Sequence, residues 1–261
     1  MPTNIAHRGA RLLAPENTLE AAQLAKMHGA DMWELDVQFT SDNNLIIIHD
    51  DTLERTTNIH LIDEFKERKP WHVCDFSSEE LQKLNFGYAL NNISPNNSSK
   101  HHGVPFLDNA IILSKKIGIE MNVEIKDMSH LPIGHEVIAK KVYDTVKTNE
   151  YLPNVLFSSF NMDYLFQIRD IDAKARIAVL MDQPDENYLI ILNKLKAEAY
   201  HPHYSLVDQQ MIDQLHQKQI QVNIWTVNNE KDMLQFIKKG VDGIITDDPA
   251  LLNSINKRQN G

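Results

Sequence analysis

The chain carries one cysteine, Cys74, in 261 residues, which excludes an intrachain disulfide framework and fits a reducing compartment. A structural thiol is its expected role. There is no run of about 18 apolar residues, so no integral membrane segment is expected. The first residues, Met1-Pro2-Thr3-Asn4-Ile5-Ala6-His7-Arg8, lack a charged stretch followed by an apolar one, and the expected location is cytoplasmic. With no secretory signal, the sequons at Asn92-Ile93-Ser94 and Asn97-Ser98-Ser99 are read as chance matches. Basic charge is short too: 26 Lys and Arg stand against 36 Asp and Glu, a net charge of −10 that weighs against nucleic acid as a partner. An anionic small-molecule substrate stays open, because a local arginine, lysine or metal overrides the global field. Neither G-x-G-x-x-G nor a Walker loop is present, and no G-x-S-x-G supports a nucleophilic serine.

What is present is the balance of an ordinary globular protein, 42% apolar and 24% charged, at a length common for a single α/β barrel domain. The oligomeric state is left open. The most informative stretch runs from Trp33 to Asp50, WELDVQFTSDNNLIIIHD. In a strand, successive side chains alternate between faces, so Glu34 and Asp36 share one face while Trp33, Leu35 and Val37 share the other. Two acids so close repel unless a cation or a shared proton lies between them. The turn formers Thr40 to Asn44 and the β-rich run Leu45 to Ile48 follow, and so short a connection requires an antiparallel partner. A hairpin centred between Asp42 and Asn43 would set His49 opposite Asp36, on the acid face.

A first strand ends at His7-Arg8-Gly9, and a helix follows from Leu19 to Met27 with Asn17 or Thr18 as its cap. Residues 51–107 read as an insertion lying over the site, with one helix capped by Ser77 and closed into a capping box by Glu80. A regular alternation then begins, with helices expected at 108–117, 133–148, 161–171, 185–196, 207–217, 230–239 and from Pro249. Strands are expected between them at 119–125, 154–159, 175–180, 198–201, 220–226 and 243–246. With those near residues 4 and 31 the helix-connected strands number eight, which argues for one TIM (β/α)8 barrel over 1–261, with an antiparallel hairpin after strand 2. An open doubly wound sheet is the alternative.

A barrel places its chemistry at the C-terminal ends of its strands, where this sequence has polar residues. Glu34, Asp36 and Glu124 are three hard oxygen donors suited to one divalent cation, Mg2+ or Ca2+; the competing reading is rim salt bridges. His7 and His49 have the side chain that titrates near neutrality and suit a general acid and base. Arg8 and Lys126 would neutralise a phosphoryl group, or else pair with Glu34 or Glu124. Trp225 could pack on the carbon side of a small polyol, while His201 and His203 are weaker candidates with structural or supporting roles. A metal, two histidines, an arginine and a lysine together point to phosphoester cleavage rather than glycoside or acyl transfer.

The motifs A-H-R-G (6–9), P-E-N-T (15–18), E-L-D-V (34–37), I-H-D-D-T-L-E-R-T-T (48–57), N-V-E-I-K (122–126), I-W-T-V-N (224–228) and G-V-D-G-I-I-T-D-D-P (240–249) span nearly the whole chain. In these the chain resembles the glycerophosphodiester phosphodiesterases. The resemblance implies a TIM barrel with a small insertion after the H-D motif, and hydrolysis of a glycerophosphodiester to sn-glycerol 3-phosphate and an alcohol. It also implies acid/base roles for His7 and His49, metal binding by Glu34, Asp36 and Glu124, and phosphate binding by Arg8 and Lys126. Two rival readings remain: a barrel-type phospholipase acting on lysolipid or phosphatidylinositol, and a noncatalytic glycerol-phosphate-binding protein.

Overall fold

The computed structural model describes residues 1–88 and 100–260. Among these the strands are β1 (Thr3–His7), β2 (Met32–Phe39), β3 (Leu45–Ile47), β4 (Glu120–Ile125), β5 (Val155–Ser159), β6 (Ile177–Met181), β7 (Ala199–Pro202), β8 (Gln221–Ile224) and β9 (Gly243–Thr246). The helices are α1 (Leu19–Met27), α2 (Ser78–Leu81), α3 (Leu107–Ile117), α4 (His135–Thr148), α5 (Met162–Ile171), α6 (Tyr188–Leu195), α7 (Gln209–Gln217), α8 (Glu230–Lys239) and α9 (Pro249–Asn260). β1, β2 and β4 to β9 are joined in parallel pairs, and β9 returns to β1, which closes the barrel and removes the open-sheet alternative. Each strand and helix from β4 onward begins and ends within about three residues of the expectation, the scatter normal for element ends. No helix among the described residues is long and apolar enough to cross a membrane.

Strand alternation builds two layers. Trp33, Leu35 and Val37 of β2 join Ala22 and Ala25 of α1 and Leu107, Ala110 and Ile111 of α3 in the core between barrel and helices. The Trp33 indole N–H is satisfied there by Ser114 Oγ at 2.8 Å. The opposite parity fills the barrel interior: Ile5, Met32, Leu156, Ala178, Ala199 and Ile245 form an apolar floor. Above it, Glu34 and Asp36 of β2 and Glu124 of β4 are buried at the upper end. The acids therefore face the barrel axis, as their spacing requires.

One register expectation is wrong by a residue. β2 and β3 pair Val37 with Ile47, Gln38 with Ile46 and Phe39 with Leu45, so the hairpin is centred on Asp42. Asn43 adopts a left-handed φ of 59°, and Thr40 both donates to and accepts from the Asn43–Asn44 segment, closing a tighter turn. Continued as a strand, this register would turn His49 away from the acids. β3 instead stops at Ile47, and the Gln38 amide donates to the carbonyls of Ile48, His49 and Asp50 at 3.0, 3.1 and 2.9 Å, holding them in a loop.

The residues after β3 have a second apolar cluster, in which Leu53, Ile59, Phe65, Trp71, Val73, Phe76 and Leu81 pack onto Ile46 and Ile48. α2 lies here with the expected capping box: Ser77 accepts from the Glu80 N–H, and Glu80 accepts from the Ser77 N–H at 2.8 Å. Both sequons, and most of the Asn/Ser/His-rich patch 91–102, fall outside the described residues. Cys74 is a free, partly buried thiol in this segment.

Candidate active site

The loop after β1 is shaped by two left-handed residues, Arg8 at φ 56° and Gly9 at φ 82°. A Cβ at Gly9 would lie 2.6 Å from the Ala21 Cβ and 2.7 Å from the Ala21 carbonyl carbon, so only glycine lets the loop rest on α1. The turn aims the Arg8 backbone N–H at Glu34 Oε2, 2.9 Å away. Asn17 is left-handed too, at φ 58°. Its side chain meets Asp36 twice, donating to Oδ2 at 2.8 Å and accepting from the backbone N–H at 3.3 Å. The helix cap is Thr18, which leaves Asn17 free for this contact.

Glu34, Asp36 and Glu124 each bring a carboxylate oxygen within 4.8 Å of the others, and all three are buried. Burial, with the charges of Asp36 and Glu124, pushes the Glu34 carboxyl well above the usual carboxylate range. Glu124 is also raised, by burial and by Asp36 against the pull of Lys126. For Asp36 burial acts upward, but the Lys126 and Arg8 charges outweigh it and hold the carboxyl at about 2. Glu34 Oε1 is buried without any hydrogen-bond partner. Three hard oxygen donors, one of them orphaned, in a cluster that resists full ionisation fit a divalent cation.

The two expected cations lie on these acids. Lys126 Nζ is 2.8 Å from Glu124 Oε1 and 3.5 Å from Asp36 Oδ1. The charges of Glu124 and Asp36 raise the Lys126 pKa above its ordinary value although burial works against them. Arg8 Nε is 3.3 Å from Asp36 Oδ2, and Nη1 donates to Glu16 Oε1 at 2.9 Å. The alternative of pairing with Glu124 thus describes the structure for Lys126, whereas Arg8 chooses Asp36 and Glu16 and meets Glu34 only through its backbone.

The histidines stand on either side of the acids, each tied at Nδ1 to a carboxylate. His7 Nδ1 is 2.6 Å from Asp247 Oδ1, and Asp247 Oδ2 accepts from Asn228 at 2.8 Å. His49 Nδ1 is 2.8 Å from Asp50 Oδ1, and Asp50 is gripped by Arg55 through Nε and Nη2 at 2.6 and 2.9 Å. Such contacts fix the ring and leave Nε2 for chemistry. Burial is the largest influence on His7 and lowers its pKa below the ordinary 6.5 despite the Asp247 bond, so the ring is neutral at pH 7.

His7, Arg8, Glu34, His49, Glu124, Lys126 and Trp225 line one cleft of about 380 Å³, including its open mouth, and Asp36 completes the acid cluster at its base. Phe160, Leu180 and Ile245 form the apolar part of its wall. Trp225 is fixed by its indole N–H to the His201 carbonyl at 2.8 Å and by the edges of Phe160 and His203. His201 is fully buried with its pKa pushed down to about 3 by desolvation, a neutral structural residue beneath the cleft. His203 accepts at the start of a helical turn through Ser205. Sequence reasoning gave no role to Glu16, Asp50 and Arg55, noted Asp247 only as a polar residue at a strand end, and read Asn17 only as a possible cap. All five stand inside the motifs quoted above.

The model of the glycerophosphoryl diester phosphodiesterase family matches residues 7–251. A glycerophosphodiester phosphodiesterase of Caldanaerobacter subterraneus subsp. tengcongensis is 33% identical over 256 residues, 97% of each chain. An Oleispira antarctica phosphodiesterase, solved in complex with the product sn-glycerol-3-phosphate, superposes with a TM-score of 0.84 at 25% identity, covering 97% of this chain and 96% of that one. A putative glycerophosphoryl diester phosphodiesterase of Silicibacter pomeroyi gives a TM-score of 0.86 at 22% identity over 98% and 93% of the two chains, a likeness of fold.

Proposed function

The chain belongs to the glycerophosphoryl diester phosphodiesterase family, and from that premise we propose that it hydrolyses glycerophosphodiesters to sn-glycerol 3-phosphate and an alcohol with His7 and His49 as its proton carriers. The observation that carries this reading is the pair of histidines, each anchored at Nδ1 by a carboxylate, flanking a buried cluster of three acids in one cleft. One imidazole takes the proton of the attacking hydroxyl as the new P–O bond forms: water, which gives sn-glycerol 3-phosphate directly, or the glycerol 2-hydroxyl, which gives a cyclic phosphate that water then opens. The other gives a proton to the alcohol oxygen as the old P–O bond breaks.

Glu34, Asp36 and Glu124 would hold one divalent cation, Mg2+ or Ca2+, which when bound supplies Lewis-acid polarisation of the phosphoryl oxygens. Arg8 and Lys126, beside the same acids, would neutralise the phosphate, Arg8 by paired N–H donors and Lys126 as a point charge. Trp225 and the apolar wall suit the carbon face of glycerol. The insertion after β3 belongs with the barrel to a single domain in this reading, supported by Arg55, which reaches Glu16 on the β1–α1 loop. The free Cys74 agrees with a reducing, cytoplasmic setting.

The test is turnover of glycerophosphocholine by His7→Ala and His49→Ala. Each is expected to lose about 100-fold or more in kcat. Near-full turnover by both would remove the assignment.

A further inference from the structure

Glu16 lies between the two histidine–carboxylate pairs and is bonded toward both. Its side chain is 9% exposed, and its oxygens accept three guanidinium hydrogen bonds and form one further ion pair. Oε1 accepts from Arg8 Nη1 at 2.9 Å and from Arg55 Nη2 at 2.6 Å. Oε2 lies 3.0 Å from Arg55 Nη1 and 2.9 Å from Arg11 Nη2. A carboxylate has about four lone-pair sites, and these contacts engage both of its oxygens. Arg55 continues to Asp50 and hence to His49. Arg11 continues to Asp247, at 3.6 Å, and hence to His7. The chain His7–Asp247–Arg11–Glu16–Arg55–Asp50–His49 forms an arch of contacts from one histidine to the other, and Glu16 is its keystone.

Three features separate this arch from an ordinary surface ion-pair network. Its centre, Glu16, is buried between arginines that are themselves more exposed, Arg11 at 27% and Arg55 at 43%. Its charges balance, with Arg8, Arg11 and Arg55 against Glu16, Asp50 and Asp247. It also joins three loops, after β1, after β3 and after β9, through side chains alone. Burial by itself would push the Glu16 carboxyl up, but the Arg55 hydrogen bond and the charges of Arg8, Arg11 and Arg55 hold it at about 2, so it stays ionised.

We propose that Glu16 is a positioning residue for the reaction, setting through Arg55 and Arg11 the orientation of both histidine–carboxylate pairs at once. The proposal rests on the reading of His7 and His49 as proton carriers. A glutamine at 16 would turn an N–H2 group against guanidinium donors, release Arg55 from its double grip, and let the Asp50–His49 pair drift.

The test uses the metal-saturated enzyme with glycerophosphocholine, and metal affinity measured separately by calorimetry. Glu16→Gln is expected to lower kcat by about 10-fold to 100-fold, with KM and metal affinity held within about threefold. Arg55→Met, at a more exposed position, is expected to share the kcat loss and guards against a folding failure of the first variant. Combining Glu16→Gln with Asp50→Asn is expected to cost less than the product of the single losses, because both act through His49. Unchanged kcat in Glu16→Gln and Arg55→Met, or losses that multiply, would overturn the proposal. If His7→Ala and His49→Ala are inactive in the same experiment, that failure belongs to the arch alone; if they are active, the histidine reading itself falls.

Discussion

Replacing Glu34 by glutamine separates a metal site from a cluster of structural salt bridges. Glu34 is 3% exposed, its Oε1 has no partner, and its charged oxygens lie within 4.8 Å of those of Asp36 and Glu124. At that distance two unit charges repel by about 3 kcal/mol at an effective dielectric near 20. The raised Glu34 pKa means that proton uptake already relieves part of this. Glutamine removes the charge, keeps an oxygen for the Arg8 N–H, and turns an amide donor toward the other two acids. Without metal, Glu34→Gln is therefore expected to be more stable than the natural protein by about 1 to 2 kcal/mol, a rise of about 2–8 °C in melting temperature for a chain of this size. With cation at about 100 times its dissociation constant the natural protein gains about 2.7 kcal/mol, while the variant, short of one ligand, gains little. The order of the two melting temperatures should reverse between EDTA and saturating Mg2+ or Ca2+. A variant that melts lower in EDTA, or that gains as much from the cation as the natural protein, refutes the reasoning.

Other outcomes follow from the same geometry. On a glycerophosphodiester with a p-nitrophenyl leaving group, which departs without protonation, the alanine variant of whichever histidine is the acid should recover most of its lost kcat while that of the base stays impaired; equal losses of both variants on both substrates contradict a divided acid and base pair. His201, with a folded pKa of about 3, stays neutral while the unfolded chain takes up a proton below 6.5. Stability should thus fall by up to about 1.4 kcal/mol per pH unit between 6.5 and 3, and His201→Gln should flatten that slope in denaturant titrations. Phe76→Ala empties a fully buried position in the cluster after β3 and should cost about 3 kcal/mol or more. Hydrogen exchange should show the loss in residues 51–88 and spare β4 to β9; uniform loss would mean that the segment and barrel share one cooperative core.

The barrel was legible because its signals are local and repeated: each strand is a short apolar run and each helix has its own period. The acid face of β2 was legible for the same reason, since alternation needs only neighbouring residues. The hairpin register was not, because it turns on a single left-handed residue, Asn43, and a one-residue change flips every later side chain. His49 reaches the site by leaving the strand, with Gln38 holding the loop, and no periodicity records that. The carboxylates that orient the histidines split by distance along the chain. Asp50 adjoins His49, while Asp247 is 240 residues from His7, a pairing that only the closure of β9 on β1 creates. Glu16 and Asn17 sit where a helix start is the simplest reading, and their other partners come from β2 and from the loop after β3.

The most direct test of the central claim is the release of sn-glycerol 3-phosphate from a panel of glycerophosphodiesters, first in EDTA and then with Mg2+ or Ca2+ restored. The account predicts no release in EDTA, recovery with a divalent cation in the natural protein, and no recovery when Glu34, Asp36 or Glu124 is replaced. Release that persists in EDTA, or tight binding of glycerol phosphate with no turnover in either metal, would contradict it.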